Sequence, residues 1–167
     1  RGQPIRRAAE TPGLWRDWGF RVDNLKSALP FYLGISALIF LVLRFHLWCW
    51  GGAPLGKGAG WVFLVYPVWA LLQQFALQNL LAGNLRKAGL PETATLVATA
   101  LGFGAAHLPD LPLAGMTAAA GLLWTWAFHR RPNLWILSFS HAWLGTLAFY
   151  WMLGRDPWLE MAPLHRP

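Results

Sequence analysis

From Ala28 to Trp50 the chain runs 23 residues with one formal charge, Arg44. A helix needs about 20 apolar residues to cross the hydrocarbon core of a bilayer. Within that core every backbone polar group must be satisfied by protein, so a run of this kind folds as a helix. Four more apolar segments follow: Gly60 to Ala82, "TATLVATALGFGAAH" ending at His107, Pro112 to Phe128, and Asn133 to Leu153. The third and fourth flank "LPDLP", a proline-rich tight turn. Those two are either short spans packed inside a bundle or a hairpin that does not fully cross. The expected fold is all-α, a polytopic transmembrane bundle of about five spans. Its expected organisation is an arm at 1–27, a membrane domain at 28–153 and a tail at 154–167.

Charge placement agrees with that arrangement. With the N-terminus cytoplasmic, the inner segments are 1–27, 83–92 and 129–132, and they hold ten of the fourteen Lys and Arg residues. The outer segments keep Lys57, Arg155 and Arg166. The split follows the positive-inside rule and places the C-terminus outside. The net charge of +7 is therefore read as topology. Nucleic-acid binding is not expected, because the basic residues flank spans and do not form one patch. Twelve tryptophans fit a membrane protein, since this residue gathers at bilayer interfaces. One cysteine, Cys49, excludes an intrachain disulfide. The first long apolar run sits behind a polar arm, so no segment reads as a cleaved signal peptide.

In the arm, Trp15, Trp18, Val22, Leu25 and Leu29 recur at helical spacing with Arg16, Arg21 and Lys26 between them. That pattern predicts a helix lying on the cytoplasmic membrane surface. The alternative is an irregular or partner-docking arm, and Gly19 favours it. The small-residue clusters "AGMTAAAG" and "ATALGFGAA" read as close helix-packing faces.

Polar residues inside apolar spans are costly and tend to face the bundle interior and pair. The second span carries "QQFALQ", with Gln73, Gln74 and Gln78. Gln74 and Gln78 are four apart and share a helical face. At about 1.5 Å per residue, Gln74 and His141 each lie about 12 Å from the inner boundary. His107 lies near the far end of the third span. The expectation is one polar pocket built from the second, third and fifth spans. The plainer alternative is a set of unrelated interhelical hydrogen bonds, each worth about 0.6–2 kcal/mol.

The order and spacing of these residues resemble the CPBP family, which contains type II CaaX prenyl proteases and bacteriocin-processing or immunity (Abi) proteins. The resemblance covers roughly residues 63–151. The family's Glu-Glu-x-x-x-Arg motif aligns with Gln73, Gln74 and Gln78. Its Phe-x-x-x-His motif is intact as Phe103 and His107. Its His-x-x-x-Asn motif keeps His141 but has Gly145 at the last position. In active members, the resemblance implies, the glutamates and histidines activate water against a peptide bond within the membrane.

Here the first motif has lost its charge. An amide has no group titrating near neutrality, so it cannot act as general base. An arginine that compensated two buried carboxylates would be an unpaired buried cation once they were gone, so a neutral Gln78 is coherent with neutral Gln73 and Gln74. The implied role is binding or accessory: recognition of a transmembrane or lipid-modified peptide, or service as a subunit of a larger membrane assembly. Two alternatives stand beside it. One is an active endopeptidase using His107 and His141, with Asp110 the nearest acid to a motif. The other is a pigment-binding subunit in which the two histidines ligate haem or a chlorophyll-type ring, since neutral imidazole suits that task. No metal and no resident cofactor are otherwise expected.

Overall fold

The structure, a computed structural model, describes residues 13–161. Seven helices are ordered along these residues: α1 (Leu14–Asp17), α2 (Leu25–Trp50), α3 (Ala59–Lys87), α4 (Glu92–Ala105), α5 (Leu111–Arg130), α6 (Leu134–Trp151) and α7 (Pro157–Met161). The five long ones fall on the five apolar segments. No strand occurs among the described residues. Three helices, α2, α3 and α5, are long and apolar enough to cross a membrane. The 14-residue α4 is too short for that, spanning about 21 Å, and α6 carries Ser138, Ser140, His141 and Thr146 among its apolar residues.

Local chemistry sets the helix ends. Asp110 Oδ1 accepts from Leu113 N to cap α5, and Asn133 Oδ1 accepts from Ile136 N to cap α6. Pro132 follows the end of α5, as expected where the residue before proline is pushed out of helical conformation. α3 is not uniform. Its stretch Ala76–Ala82 is a π-helix, an arrangement that often marks functional sites.

α6 is the central helix, with ten buried residues, and it packs against α2 and α3. α4 and α5 form a close antiparallel hairpin built on the small-residue clusters. A Cβ on Gly104 would stand 2.8 Å from Ala114 O, and one on Gly121 would stand 3.2 Å from Ala100 Cα. The surface outside is apolar, with Leu38 65%, Leu41 63% and Leu64 67% exposed, as a lipid-facing surface requires. Trp48 and Trp50 are exposed at one end of the bundle and Trp15 at the other. These positions fit the two aromatic belts of a membrane protein.

The arm departs from the predicted surface helix. After one turn of α1 the chain reverses at Gly19, whose φ of +88° is a left-handed conformation that side chains disfavour. A Cβ there would also stand 2.7 Å from the Phe128 ring. Residues 18–21 tuck under the bundle, while Val22 and Asp23 stay exposed. Phe20 packs edge-on to Trp135 with ring centres 5.2 Å apart, Trp18 packs on Phe75, and Asn79 Nδ2 donates to Trp18 O. The helical spacing of Trp18 and Val22 was therefore coincidental: tertiary packing overrides it. At the opposite end residues 154–161 fold back over the loops at 51–58 and 106–110. The arm and the tail thus mark opposite ends of the bundle.

Candidate functional site

α3 delivers the three glutamines to two different places. Gln74 is fully buried and faces α6, and Gln78, 3% exposed, lies one turn on in the stretch that packs against α4 and α5. Gln78 Nε2 donates to Gln74 Oε1 at 2.9 Å. Gln74 Nε2 lies 2.9 Å from His141 Nδ1 on α6. As the two amides lie, Gln74 Oε1 accepts from Gln78 and its Nε2–H meets the imidazole; turning both amides over gives the same two bonds with His141 Nδ1–H as the donor, so the ring's tautomer sets the direction of the chain. In the first direction His141 Nδ1 is the acceptor, and the neutral ring carries its proton on Nε2.

Gln73 points elsewhere. It lines two smaller cavities, of about 150 Å³ and 510 Å³, and His107 lines both as well. Its Oε1 is buried with no protein partner, as is Gln78 Oε1. His107 lies in the turn just past α4, where its Nδ1 donates to Phe103 O at 2.8 Å. A carbonyl only accepts, so the neutral ring keeps its lone pair on Nε2. With the amides so turned the two histidines present opposite chemistry: His107 offers an acceptor and His141 a donor.

Phe103 stands between them. Its ring is edge-on to His107 at 5.0 Å and to His141 at 5.9 Å. Both histidines line one large cavity of about 560 Å³. It is a groove walled by α2, α5 and α6 through Val42, Leu43, Met116, Leu123, Leu144 and Ala148. Its walls are apolar, and Tyr66, His107 and His141 form its polar end. Gln74 lies behind His141 and not on the groove wall. The structure thus brings Gln74, Gln78 and His141 into one hydrogen-bonded chain, sets His107 beside it across Phe103, and places Gln73 and His107 on the walls of two shared cavities.

Asp110, the acid nearest a motif, is engaged elsewhere. It caps α5 and is ion-paired with Arg155, whose hydrogen bond holds its carboxyl below the usual carboxylate range. Among the described residues no group of three or more His, Cys, Asp or Glu is placed to hold a metal ion.

Three residues escaped the sequence reading. Tyr66 fills the space left by Gly145: a Cβ there would stand 3.3 Å from the Tyr66 ring. A signal existed, since Tyr66 and Gln73 are seven apart and so share a helical face. Arg155 and Glu160 lie in the tail and reach the site only through the fold. Glu160 lines the 150 Å³ chamber with Tyr66, Gln73 and His107, and Arg155 binds both of its carboxylate oxygens, at 2.6 and 2.7 Å.

No curated protein and no solved structure matches the chain. The profile of one family does, over residues 57–147, which is more than half of the chain and includes Gln73, Gln74, Gln78, His107 and His141. With three helices able to cross a bilayer, this is an integral membrane protein, and it belongs to the type II CAAX prenyl endopeptidase Rce1-like family.

Proposed function

We propose that this chain is a non-hydrolytic member of its family, which holds an apolar chain in the groove between α2, α5 and α6 as a binding or accessory subunit. The groove fits the apolar portion of a lipid-modified or transmembrane peptide, with the polar part at Tyr66, His107 and His141. The observation that carries the reading is the chain Gln78–Gln74–His141. A carboxylate at position 74 would accept a hydrogen bond from His141 Nδ1–H and leave the Nε2 lone pair basic. In the direction proposed for the chain the amide donates instead, which occupies the Nδ1 lone pair and leaves Nε2 protonated. That imidazole cannot take a proton from water while the bond stands.

A second reading, an active intramembrane endopeptidase, draws on Glu160, the acid that shares a chamber with His107. Its two oxygens are already bound by Arg155, which argues against service as a base. The test uses purified protein in nanodiscs with a fluorescent farnesylated peptide and a transmembrane peptide. We expect saturable binding, weakened by filling the groove with Ala120→Trp, and no cleavage above background. General-base assistance typically contributes about 10²–10⁴ in rate, so its absence leaves at most slow turnover. Robust cleavage that His141→Ala abolishes would overturn the reading.

A further inference from the structure

We propose that residues 154–161 form a strap that closes the tail end of the polar chamber and controls entry to it from water. The proposal rests on the reading of the groove and its polar end as a binding site. Pro157 and Glu160 form part of the chamber wall opposite Tyr66, Gln73 and His107. Without this segment the chamber would be open at that end of the bundle.

The strap has a shaped seat. A Cβ on Gly56 would stand 2.0 Å from Asp156 Oδ2, and one on Gly58 would stand 2.2 Å from Trp158 Cγ. Only glycine at both positions admits the segment as it lies. The fastenings are polar. Tyr150 donates its hydroxyl to Asp156 Oδ1 at 2.7 Å, and Trp158 N donates to the same oxygen at 2.9 Å. Arg155 is the clasp: it joins Asp110, three residues after His107, to Glu160 on α7.

The same features make the closure reversible. A permanent wall in this molecule is an apolar helix face, such as the α4–α5 seam. The clasp instead consists of side chains that water reaches, with Arg155 34%, Asp110 26% and Glu160 40% exposed. Ion pairs of that exposure are individually weak and are screened by salt. α7 is a five-residue helix, too short to be stable apart from its seat. Segments with few buried apolar contacts are those that open locally while the core stays folded.

Thiol accessibility tests the strap directly. Cys49 is exposed and is first replaced by serine. Thr146 is 1% exposed and lines the chamber, so Thr146→Cys supplies a reporter of nearly the same size. Ala127→Cys, buried toward the arm end, supplies a control. Each protein is reacted in nanodiscs with a small water-soluble methanethiosulfonate. Two independent lesions open the strap: Arg155→Gln removes the clasp, and Gly58→Leu evicts Trp158 without touching a charge. We expect each to accelerate labelling of the Thr146→Cys reporter by about 10-fold or more, with the control unchanged, as local opening requires.

Fast labelling of the reporter with the strap intact would overturn the proposal. So would indifference to both lesions, or an equal acceleration of the control. Binding of the farnesylated peptide is measured on the same samples. Loss of binding with gating intact sinks the binding role alone, and binding without gating sinks the strap alone.

Discussion

The proposed neutralisation of the site can be reversed one charge at a time, and the energetic pattern is its sharpest test. Gln78→Arg places a guanidinium at a position 3% exposed, and arginine cannot shed its proton to escape. Gln74→Glu places a carboxylate at a position with no exposure, and this one can partly escape by remaining protonated. An unpaired buried charge costs about 3–5 kcal/mol, so Gln78→Arg should cost that much and Gln74→Glu somewhat less. The two side chains already meet at 2.9 Å, so the double variant creates a paired charge and not two isolated ones. Groups in one hydrogen-bonded network couple by up to about 3 kcal/mol, and the double variant should be more stable than the sum of the singles by roughly that amount. Equilibrium unfolding in mixed micelles, run as a double-mutant cycle, measures the coupling. Additivity within about 0.5 kcal/mol would refute the idea that positions 74 and 78 form one charge-compensated unit.

Two further outcomes follow from the hydrogen-bond directions and the chain path. Nitrogen-15 spectra of histidine-labelled protein should show neutral His141 protonated on Nε2 and neutral His107 protonated on Nδ1, and Gln74→Glu should move the His141 proton to Nδ1; a proton on His141 Nδ1 in the unaltered protein would reverse the amide chain and refute the masking of the imidazole. Reporter fusions after Leu85 and after Pro167 should lie on opposite sides of the membrane, with Leu85 cytoplasmic, whereas a shared side would rule out the odd number of crossings that the basic residues imply.

What could be read from the sequence was what repeats locally. The helices announced themselves because each is an apolar run closed by a polar or proline-bearing turn. The pairing of Gln74 with His141 was accessible because helical rise converts residue count into depth, and equal depth on neighbouring helices is most of the geometry of a contact. The close α4–α5 seam was legible in its glycines and alanines. Illegible were the features that depend on which distant residues the fold brings near. Nothing in "GRDPWLE" says that Arg155 will hold Asp110 or that Glu160 will enter the chamber beside His107. The arm misled because Trp15, Trp18 and Val22 carry a helical period, while Gly19 and the aromatic contacts of Phe20 decide the path. The π-helical stretch that carries Gln78 has no sequence mark at all.

The seating of the arm against the start of α6 bears on where the working unit of this protein begins and ends. Asn133, buried completely, donates from Nδ2 to Arg21 O and to Asn24 Oδ1, while Leu134 N donates to Gly19 O at 2.7 Å. These bonds anchor the first turn of the helix that holds His141, and they come from outside the stretch that matches the family. α2, which also lies outside it, supplies one wall of the groove through Ile39, Val42 and Leu43. A chain trimmed to residues 57–147 would keep every motif residue and lose the partners that place them. The matched stretch and the folded unit therefore have different borders here: the groups that seat the His141 helix and wall the groove extend beyond residues 57–147 into the arm, α2 and the end of α6.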